Sequence, residues 1–488
     1  MKFNKNILLI LPFLSAGCNF ISNTGNNEGG PTAAGCNFDK EKYDKVEVFE
    51  ALAAGSKNAL PERVSLLKYA PKVMSQGQQG SCVAWATAYA ACTINESVAS
   101  GINPNQLAFS PSFLYNQVKL PNCYGSNMEN ALYTVMKKGL VPFDRFAYDE
   151  KDCNKQPSSD LFEEAKDFKI KGFNRLTEAS HIYKVKIDAV KQNIAQGAPV
   201  VISMTVPESF CKEMWGKSVW RPKPSEKNYT FEYFSSINSI DYDCHAMCAI
   251  GYDDNKDGGS FQIMNSWGQK WGDKGLFWIS YKDFSKYGIQ AFGLFPAEKK
   301  NRLVEEPDFS VAFGLVDAST NLNIPLKSGK SIIFQTIQPI KKKSKFKIEV
   351  ANSEACYIYV FGQETDGSTY VLFPYLNEGE TKSKYSPYCG IVGTRHFPSG
   401  KASLKADEIG NRDYIAVVVS KEELDYQNLN ERMNRTSTSD LASKLNKALG
   451  SEQFKSPKFD KETTNVSFEA KSTENEKLLG IVLAIDKS

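Results

Sequence analysis

One stretch of fifteen residues, residues 76–90, constrains this chain more than any other. A loop rich in Gly and Gln ends at Gly80-Ser81, and small and aromatic residues with helix-forming character follow Cys82. The pattern predicts that a helix begins at Cys82. A thiol at a helix N-terminus lies near unsatisfied backbone N–H groups and the positive end of the helix dipole, which favour the thiolate. The alternative is a small buried apolar residue, the commonest state of a free cysteine.

The residues that could activate this thiol decide whether Cys82 is a nucleophile or a small buried apolar residue. A nucleophilic cysteine needs a base and a group that orients the base. The chain has three histidines, His181, His245 and His396. His245 precedes an apolar, strand-like run, and Asn265 stands twenty residues later in Asn-Ser-Trp-Gly, at the end of another such run. His181 and His396 lack a partner pattern, so we interpret them as surface or internally satisfied histidines.

Cys82, His245 and Asn265, in this order and within these motifs, resemble the papain-like (C1) family of cysteine peptidases. The resemblance covers about residues 60–296, and its motifs are specific. It implies a two-lobed α+β domain, with a helical lobe beside a β-barrel-like lobe. It also implies that Cys82 is the nucleophile, His245 the base and Asn265 the residue that orients the imidazole.

The resemblance extends to residues around the catalytic set. It implies that the side chain of Gln76 and the backbone N–H of Cys82 form the oxyanion hole. Trp267, which we group with the substrate-binding residues, is expected to shield the hydrogen bond between Asn265 and His245. The turn over residues 123–126 resembles a family segment whose backbone pairs with extended substrates, so Gly125 and Ser126 are predicted to bind substrate.

The cysteines depart from the family pattern. Gln79 stands where the family has a cysteine, which removes one partner of a family disulfide. Cys123 and Cys153 stand at positions of family disulfide cysteines whose usual partners are missing, and they are hypothesised to pair with each other. Cys244, directly before His245, is also unusual. None of these departures removes a residue of the predicted catalytic set.

The first residues read as a targeting segment. Residues 1–17 combine two lysines with an apolar run too short to span a bilayer, which predicts a signal peptide. Ser15-Ala16-Gly17-Cys18 resembles a bacterial lipobox, in which Cys18 would be lipidated. Ordinary signal cleavage, even before Cys36, is the alternative. We therefore expect a lipid-anchored protein of the bacterial cell envelope, on the outer membrane or the cell surface.

The remaining chain divides by composition. Residues 18–55 are predicted to be a flexible tether, too short for the family's usual inhibitory pro-segment, so we expect no zymogen of the usual kind. Residues 56–298 form the predicted peptidase domain, and residues 299–309 a charged linker. Residues 310–488 contain short β-type runs separated by turn residues, which predicts an all-β, sandwich-like accessory domain. Residues 357–374 resemble an accessory β-domain of unknown function found beside bacterial enzyme domains.

Local signals predict several elements. Ser110-Pro111 is typical of a helix start, and Ser126-x-x-Glu129 predicts a capping box for a helix that ends at Gly139. A helix over Leu441–Leu449 is predicted with Ser439 or Asp440 as its N-cap. The aromatic-rich residues 205–242, between a core strand and His245, are interpreted as a packed surface excursion. The alternative is that they shape or partly cover the substrate groove.

Several other partners and ligands are disfavoured. Lys and Arg (59) nearly balance Asp and Glu (56), so no nucleic-acid partner is predicted. Residues 253–258 mimic the first half of a calcium loop, but the twelfth position is Met264, so a hairpin turn is favoured. His245 between Cys244 and Cys248 lacks the second Cys/His pair of zinc sites. We predict neither a metal nor a cofactor.

The sequence therefore predicts a thiol endopeptidase that acts on protein or peptide substrates through Cys82, His245 and Asn265. Two alternatives stay open. One is a surface binding or adhesion lipoprotein with a vestigial peptidase domain, and the other is thiol-dependent transpeptidation at the same site. The sequence does not determine the oligomeric state.

Overall fold

The computed structural model describes residues 35–53, 56–177, 185–226, 244–297, 309–376, 383–461, 464–473 and 475–488. The predicted signal peptide, the predicted lipidation site Cys18, His181 and nearly all of the predicted linker lie outside the described residues.

A buried helix over residues 82–100 is the centre of the helical part. It is α-helical at Cys82–Ala84, π-helical at Trp85–Cys92 and α-helical again at Thr93–Ser100. Residues 82–95 are all buried, because small side chains on this helix let its neighbours approach from every side. The other helices of this region are Pro104–Leu107, Pro111–Val118, Met128–Lys138, Ser159–Ala165, Ile187–Ala195, Glu208–Glu213 and Tyr281–Tyr287.

Two of these helices test the predicted caps. Ser110 caps the helix Pro111–Val118 by accepting a hydrogen bond from the backbone N–H of Phe113 (3.0 Å), which confirms that prediction. The capping box at Ser126 is wrong, because the N-cap of the helix Met128–Lys138 is Asn127. Glu129 turns inward instead and accepts a hydrogen bond from Nε2 of Gln290 (2.5 Å).

One seven-stranded sheet brings the histidine and the asparagine together. Its strands are, in order, β3 (Phe173–Arg175), β8 (Gly288–Leu294), β4 (Val200–Thr205), β5 (Cys244–Asp253), β6 (Ser260–Met264) and β7 (Leu276–Ser280), and β2 (Arg63–Ser65) also pairs with β5. His245 is the second residue of β5, and Asn265 directly follows β6, the neighbouring antiparallel strand.

The C-terminal region contains two further seven-stranded sheets. One has the order β18-β13-β9-β22-β21, with β10 on β9 and β19 on β13; the other has the order β11-β12-β23-β20-β14-β15, with β17 on β14. Both contribute to one apolar core, so they face each other. The main strands are β9 (Phe309–Asp317), β13 (Lys345–Asn352), β14 (Cys356–Gln363), β18 (Gly393–Phe397), β20 (Arg412–Ser420), β22 (Val466–Ala470) and β23 (Leu478–Asp486). The shorter strands are β10 (Asn323–Ile324), β11 (Leu326–Ser328), β12 (Ile333–Thr336), β15 (Thr369–Phe373), β17 (Tyr388–Cys389), β19 (Leu404–Lys405) and β21 (Phe459–Lys461).

Two helices, Tyr426–Asn434 and Leu441–Leu449, pack together against the second of these sheets. The second helix has the predicted bounds, and Asp440 is its N-cap, accepting a hydrogen bond from the backbone N–H of Ser443 (2.9 Å). The region therefore combines two sheets with two helices, of which the sequence predicted Leu441–Leu449 but not Tyr426–Asn434.

Residues 35–53 differ from the flexible tether that the sequence predicted. They include a helix, Lys40–Lys45, and a short strand, β1 (Val48–Phe49), which pairs in parallel with β16 (Tyr385–Ser386) of the C-terminal region. Tyr43 and Val46 are buried. The Gly- and Asn-rich composition that suggested flexibility ends near residue 37, and the apolar residues after it anchor the segment. No helix in the described ranges has the length and apolarity needed to cross a bilayer.

Candidate active site

The thiol of Cys82 is enclosed at the start of the helix over residues 82–100. Its side chain is fully buried, and Sγ accepts a hydrogen bond from the backbone N–H of Ala246 (3.4 Å). Burial raises the pKa of Cys82 to about 11, although the backbone N–H groups of Ala246, Gly35 and Val83 act in the opposite direction. The thiol is therefore protonated at neutral pH in this state. The helix N-terminus alone predicts a thiolate, but the cost of burying the charge outweighs it.

His245 and Asn265 form a hydrogen-bonded pair beside this thiol. Nε2 of His245 lies 2.7 Å from Oδ1 of Asn265, which also accepts the backbone N–H of Ser266 (2.7 Å). Because the amide oxygen accepts, Nε2 carries the hydrogen and Nδ1 is left as the proton acceptor. Nδ1 is buried without a hydrogen-bond partner among the described residues. Burial lowers the pKa of His245 to about 4, with Asn265 acting in the opposite direction, so the imidazole is neutral.

Trp267 covers the histidine. The two ring centroids are 4.4 Å apart, with an angle of 31° between the planes, and Trp267 is buried. Phe210 packs against Trp267 from behind, with ring centroids 5.6 Å apart. Phe210 belongs to the aromatic-rich residues 205–242, so part of that segment packs against the indole and supports it. Residues 227–242 of that segment lie outside the described residues.

Gln76 is held beside Asn265 by hydrogen bonds to Ser266 and Gln79. Its Oε1 accepts a hydrogen bond from Oγ of Ser266 (2.7 Å), and its backbone N–H donates to the carbonyl of Ser266 (2.9 Å). One hydrogen of its Nε2 goes to the carbonyl of Gln79 (2.9 Å). On the other side of the loop, the hydroxyl of Tyr148 donates to the carbonyl of Gln76 (2.7 Å) and lies 2.6 Å from Oγ of Ser81. The loop before Cys82 is therefore held rigidly at both ends.

The turn that was predicted to bind substrate is occupied by the chain itself. The backbone N–H of Ser126 donates to the carbonyl of Gly35 (2.9 Å), and the N–H of Asn37 donates to the carbonyl of Ser126 (3.0 Å). The N–H of Cys36, between them, donates to the carbonyl of Cys244 (3.2 Å). A disulfide joins Cys36 to Cys244, with 5.0 Å between their Cα atoms. Residues 35–37 thus lie between the turn and the beginning of β5.

Three glycines allow this close approach. A Cβ added to Gly35 would lie 2.0 Å from the carbonyl oxygen of Gly80, and one added to Gly125 would lie 2.2 Å from the carbonyl oxygen of Gly35. Gly125 also has φ of +87°, a conformation that other residues rarely adopt. The backbones of Gly35, Gly80 and Gly125 therefore contact one another directly, and the backbone N–H of Gly35 lies beside the thiol.

Sequence reasoning did not find this contact. Cys244 stood out as unusual and Cys36 was considered only as a position of signal cleavage, but a pairing across 208 residues cannot be read from the sequence. By contrast, the pairing of Cys123 with Cys153 is confirmed, with 6.3 Å between the Cα atoms.

Other residues that the sequence pattern singled out make contacts that stabilise the fold. His396 is buried, with Nε2 2.9 Å from a carboxylate oxygen of Glu349, which confirms its interpretation as a satisfied core histidine. Residues 254–259 connect β5 to β6 as a hairpin turn. Cys244 is in a disulfide, and no group of three His, Cys, Asp or Glu side chains in the described ranges could hold a metal ion.

Comparisons with known proteins agree with this arrangement. The sequence profile described as "Papain family cysteine protease" matches residues 60–297. An uncharacterized peptidase C1-like protein of Acanthamoeba polyphaga mimivirus is 30% identical over 231 residues, which cover 45% of this chain and 68% of the viral protein. The chain belongs to the papain family.

Other papain-family relatives are more distant. Cathepsin K of Gallus gallus is 26% identical over 238 residues, which cover 47% of this chain and 60% of the cathepsin. Among solved structures, xylellain, a cysteine protease from Xylella fastidiosa, is 21% identical with a TM-score of 0.43, over 56% of this chain and 98% of xylellain. The matches to this papain-family chain thus concern about half of its length, and the family assignment rests on the sequence matches.

Proposed function

We propose that this papain-family chain is an endopeptidase that cleaves protein or peptide substrates through a Cys82 thiolate. The observation that carries the proposal is the hydrogen bond between His245 and Asn265, covered by Trp267, beside a cysteine at a helix start. This bond sets the histidine tautomer, so that Nδ1 can accept the proton of Cys82.

The reaction follows from these positions. Nδ1 of His245 takes the thiol proton, and the thiolate forms a C–S bond with the peptide carbonyl carbon. The side chain of Gln76 and the backbone N–H of Cys82 stabilise the oxyanion. The imidazolium then gives its proton to the leaving amine as the C–N bond breaks. Water activated by His245 hydrolyses the thioester, which releases the acid product and restores the thiol.

The neutral state of the covered site sets a condition for this cycle. A neutral thiol beside a neutral imidazole is the stable form while both groups are buried. Admission of water or of a polar substrate lowers the cost of charge separation, and the thiolate–imidazolium pair then becomes accessible. Catalysis therefore requires that residues 35–37 leave the cleft.

Cleavage of a fluorogenic peptide library under reducing conditions tests the proposal. The Cys82→Ala variant should lose all detectable cleavage, and an irreversible peptidyl epoxide should no longer label the protein. Cys92→Ala is the matched control, because Cys92 is another free, buried cysteine on the same helix. It should retain cleavage. Equal cleavage by wild type and Cys82→Ala would overturn the proposal.

We also propose that the protein is anchored by a lipid on Cys18 in the bacterial envelope. Support comes from the signal-like residues 1–17 and from disulfides such as Cys36–Cys244 and Cys123–Cys153, which persist in oxidising compartments. After membrane sedimentation, the full chain should be found in the pellet and Cys18→Ser in the supernatant. The same distribution for both would contradict lipid anchoring.

A further inference from the structure

We infer that residues 35–53, called the strap below, are a built-in inhibitor that a disulfide locks in the cleft and that the C-terminal region holds in place. The inference rests on the proposed peptidase function. Three features support it: residues 35–37 block the cleft, the reducible disulfide Cys36–Cys244 holds them there, and the C-terminal region binds the end of the strap.

The blocking contact uses the groups that a substrate would need. Both backbone hydrogen-bonding groups of Ser126 are occupied, one by the carbonyl of Gly35 and one by the N–H of Asn37. Gly35 also lies within van der Waals contact of Gly80, two residues before the nucleophile. With the strap in place, Cys82 and His245 are both 0% exposed. No peptide carbonyl can reach Sγ in this state.

The lock is covalent and adjoins the catalytic histidine. The disulfide joins Cys36 to Cys244, the residue directly before His245. The three backbone hydrogen bonds of residues 35–37, worth about 0.5–1.5 kcal/mol each, would break readily by thermal motion, but the disulfide prevents the strap from leaving. A dithiol reductant opens it: the S–S bond is reduced to two thiols, and the dithiol is oxidised to its own disulfide.

The middle of the strap is docked on the peptidase sheet. The hydroxyl of Tyr43 donates to Oγ1 of Thr177 (2.6 Å), and the carbonyl of Tyr43 accepts a hydrogen bond from Arg175 (2.9 Å). The ring of Tyr43 packs against Phe292, with centroids 5.6 Å apart. This contact fixes the position from which residues 35–37 enter the cleft.

The end of the strap is docked on the C-terminal region. The buried carboxylate of Glu50 accepts hydrogen bonds from the hydroxyl of Tyr375 (3.0 Å) and the backbone N–H of Ser399 (2.8 Å). The carbonyl of Glu50 accepts one from Nε of Arg395 (3.1 Å), and the backbone N–H of Ala53 donates to the carbonyl of Thr394 (2.8 Å). The C-terminal region therefore serves as the seat of the inhibitor.

The test measures how fast a peptidyl epoxide labels Cys82 in the full-length protein, purified oxidised and kept without reductant. Wild type should react slowly. Cys36→Ser, Cys36→Ser/Cys244→Ser, and wild type that was treated with a dithiol and desalted should each react at least about tenfold faster. Cys123→Ser/Cys153→Ser removes a different disulfide and leaves the strap locked, so it should remain as slow as oxidised wild type.

A variant without any cysteine change makes the test independent of thiol chemistry. Gly35→Ala places a Cβ against the carbonyl oxygen of Gly80, 2.0 Å away, so residues 35–37 cannot seat as they do now. It should label faster than wild type while its disulfide remains intact by mass spectrometry. A substitution on the exposed face of the strap helix, Glu41→Ala, is the matched control and should label like wild type.

The strap inference is overturned if oxidised wild type labels as fast as Cys36→Ser and Gly35→Ala, or if peptides of the oxidised protein show Cys36 and Cys244 as free thiols. Peptide cleavage separates this failure from that of the proposed function. Rapid labelling of Cys36→Ser without cleavage of any peptide would refute the peptidase and leave the strap. Equal cleavage by oxidised and reduced wild type would refute the strap and leave the peptidase.

Discussion

The peptidase region and the C-terminal region differ in how completely their buried polar side-chain atoms are hydrogen-bonded. In the described part of the peptidase region, thirteen buried side-chain atoms lack a hydrogen-bond partner, and three of them, His245 Nδ1, Asn265 Nδ2 and Trp267 Nε1, lie together at the candidate site. Among the described residues from 309 onward, no buried side-chain nitrogen or oxygen is left in that state. Unsatisfied buried groups cost stability, so natural proteins keep them mainly where function needs them.

The two described histidines show this difference at single residues. His245 is hydrogen-bonded to the neutral amide of Asn265, and its Nδ1 can accept a proton. His396 faces the carboxylate of Glu349, which also receives Lys57 from the segment that follows the strap. His245 therefore keeps a nitrogen that can accept a proton in a reaction, whereas the contacts of His396 with Glu349 stabilise the fold.

The largest expected effect is the loss of activity in His245→Ala. Removal of the proton acceptor should lower kcat/KM for a fluorogenic peptide by about 10²–10⁴-fold, measured after reduction. His396→Ala is the matched control and should keep kcat/KM per folded molecule. If both substitutions lowered kcat/KM equally, the contrast between the two regions would fail.

The next effect is on folding. Glu349→Ala leaves Lys57 and His396 without their buried carboxylate, and loss of one partner of a buried pair costs about 3–5 kcal/mol. Urea unfolding should show this decrease in the free energy of unfolding. Glu364→Ala, at an exposed position in the same region, should change it by less than about 0.5 kcal/mol. A comparable loss in both variants would argue against a special role for Glu349.

The pH dependence of stability sharpens the same point. Burial alone would raise the pKa of Glu349, but hydrogen bonds from His396, Lys57 and Asn323 outweigh it and hold the pKa at about 2, below the ordinary 4.5. A depressed carboxylate pKa stabilises the fold above the unfolded-state pKa, and this stability is lost as the pH falls from 4.5 toward 2. Between these values, wild type should lose more free energy of unfolding than Glu349→Gln. Parallel curves would contradict the assignment.

The smallest effect is expected from His396→Ala. Glu349 keeps Lys57 and Asn323 as partners, so the loss should be about 1–2 kcal/mol in urea unfolding. His396→Gln, which can still donate a hydrogen bond, should recover part of it. A loss as large as that of Glu349→Ala would show that the histidine, not the carboxylate, organises this cluster.

What the sequence could predict was local or carried by a specific motif. The helix start at Cys82 and the helix Leu441–Leu449 follow from residues within a few positions of each boundary. The proximity of His245 and Asn265 follows from their places on adjacent strands. Ser126 failed as a cap because the helix has Asn127 as its N-cap, and the Ser126 backbone instead pairs with residues 35–37, which are distant in sequence.

Long-range partners account for the rest. Glu129 has the spacing of a capping residue, but its carboxylate bonds to Gln290, 161 residues away. The strap was missed for the same reason. Its composition near residue 37 is that of a flexible segment, and only the distant Cys244 and the C-terminal strands give it a fixed place.

The pairing of β1 with β16 has a consequence for substrate competition. Val48 lies twelve residues after Cys36, so once the disulfide opens, residues 35–37 stay tethered to a fixed point by a short chain. The docked helix Lys40–Lys45 between them keeps these residues near the cleft, at an effective concentration of at least on the order of millimolar. The reduced enzyme would therefore still carry a competing ligand, and only peptides whose affinity or abundance exceeds that local concentration effect would be cut quickly. The selectivity of such an enzyme depends partly on how well a substrate competes with residues 35–37 for the cleft.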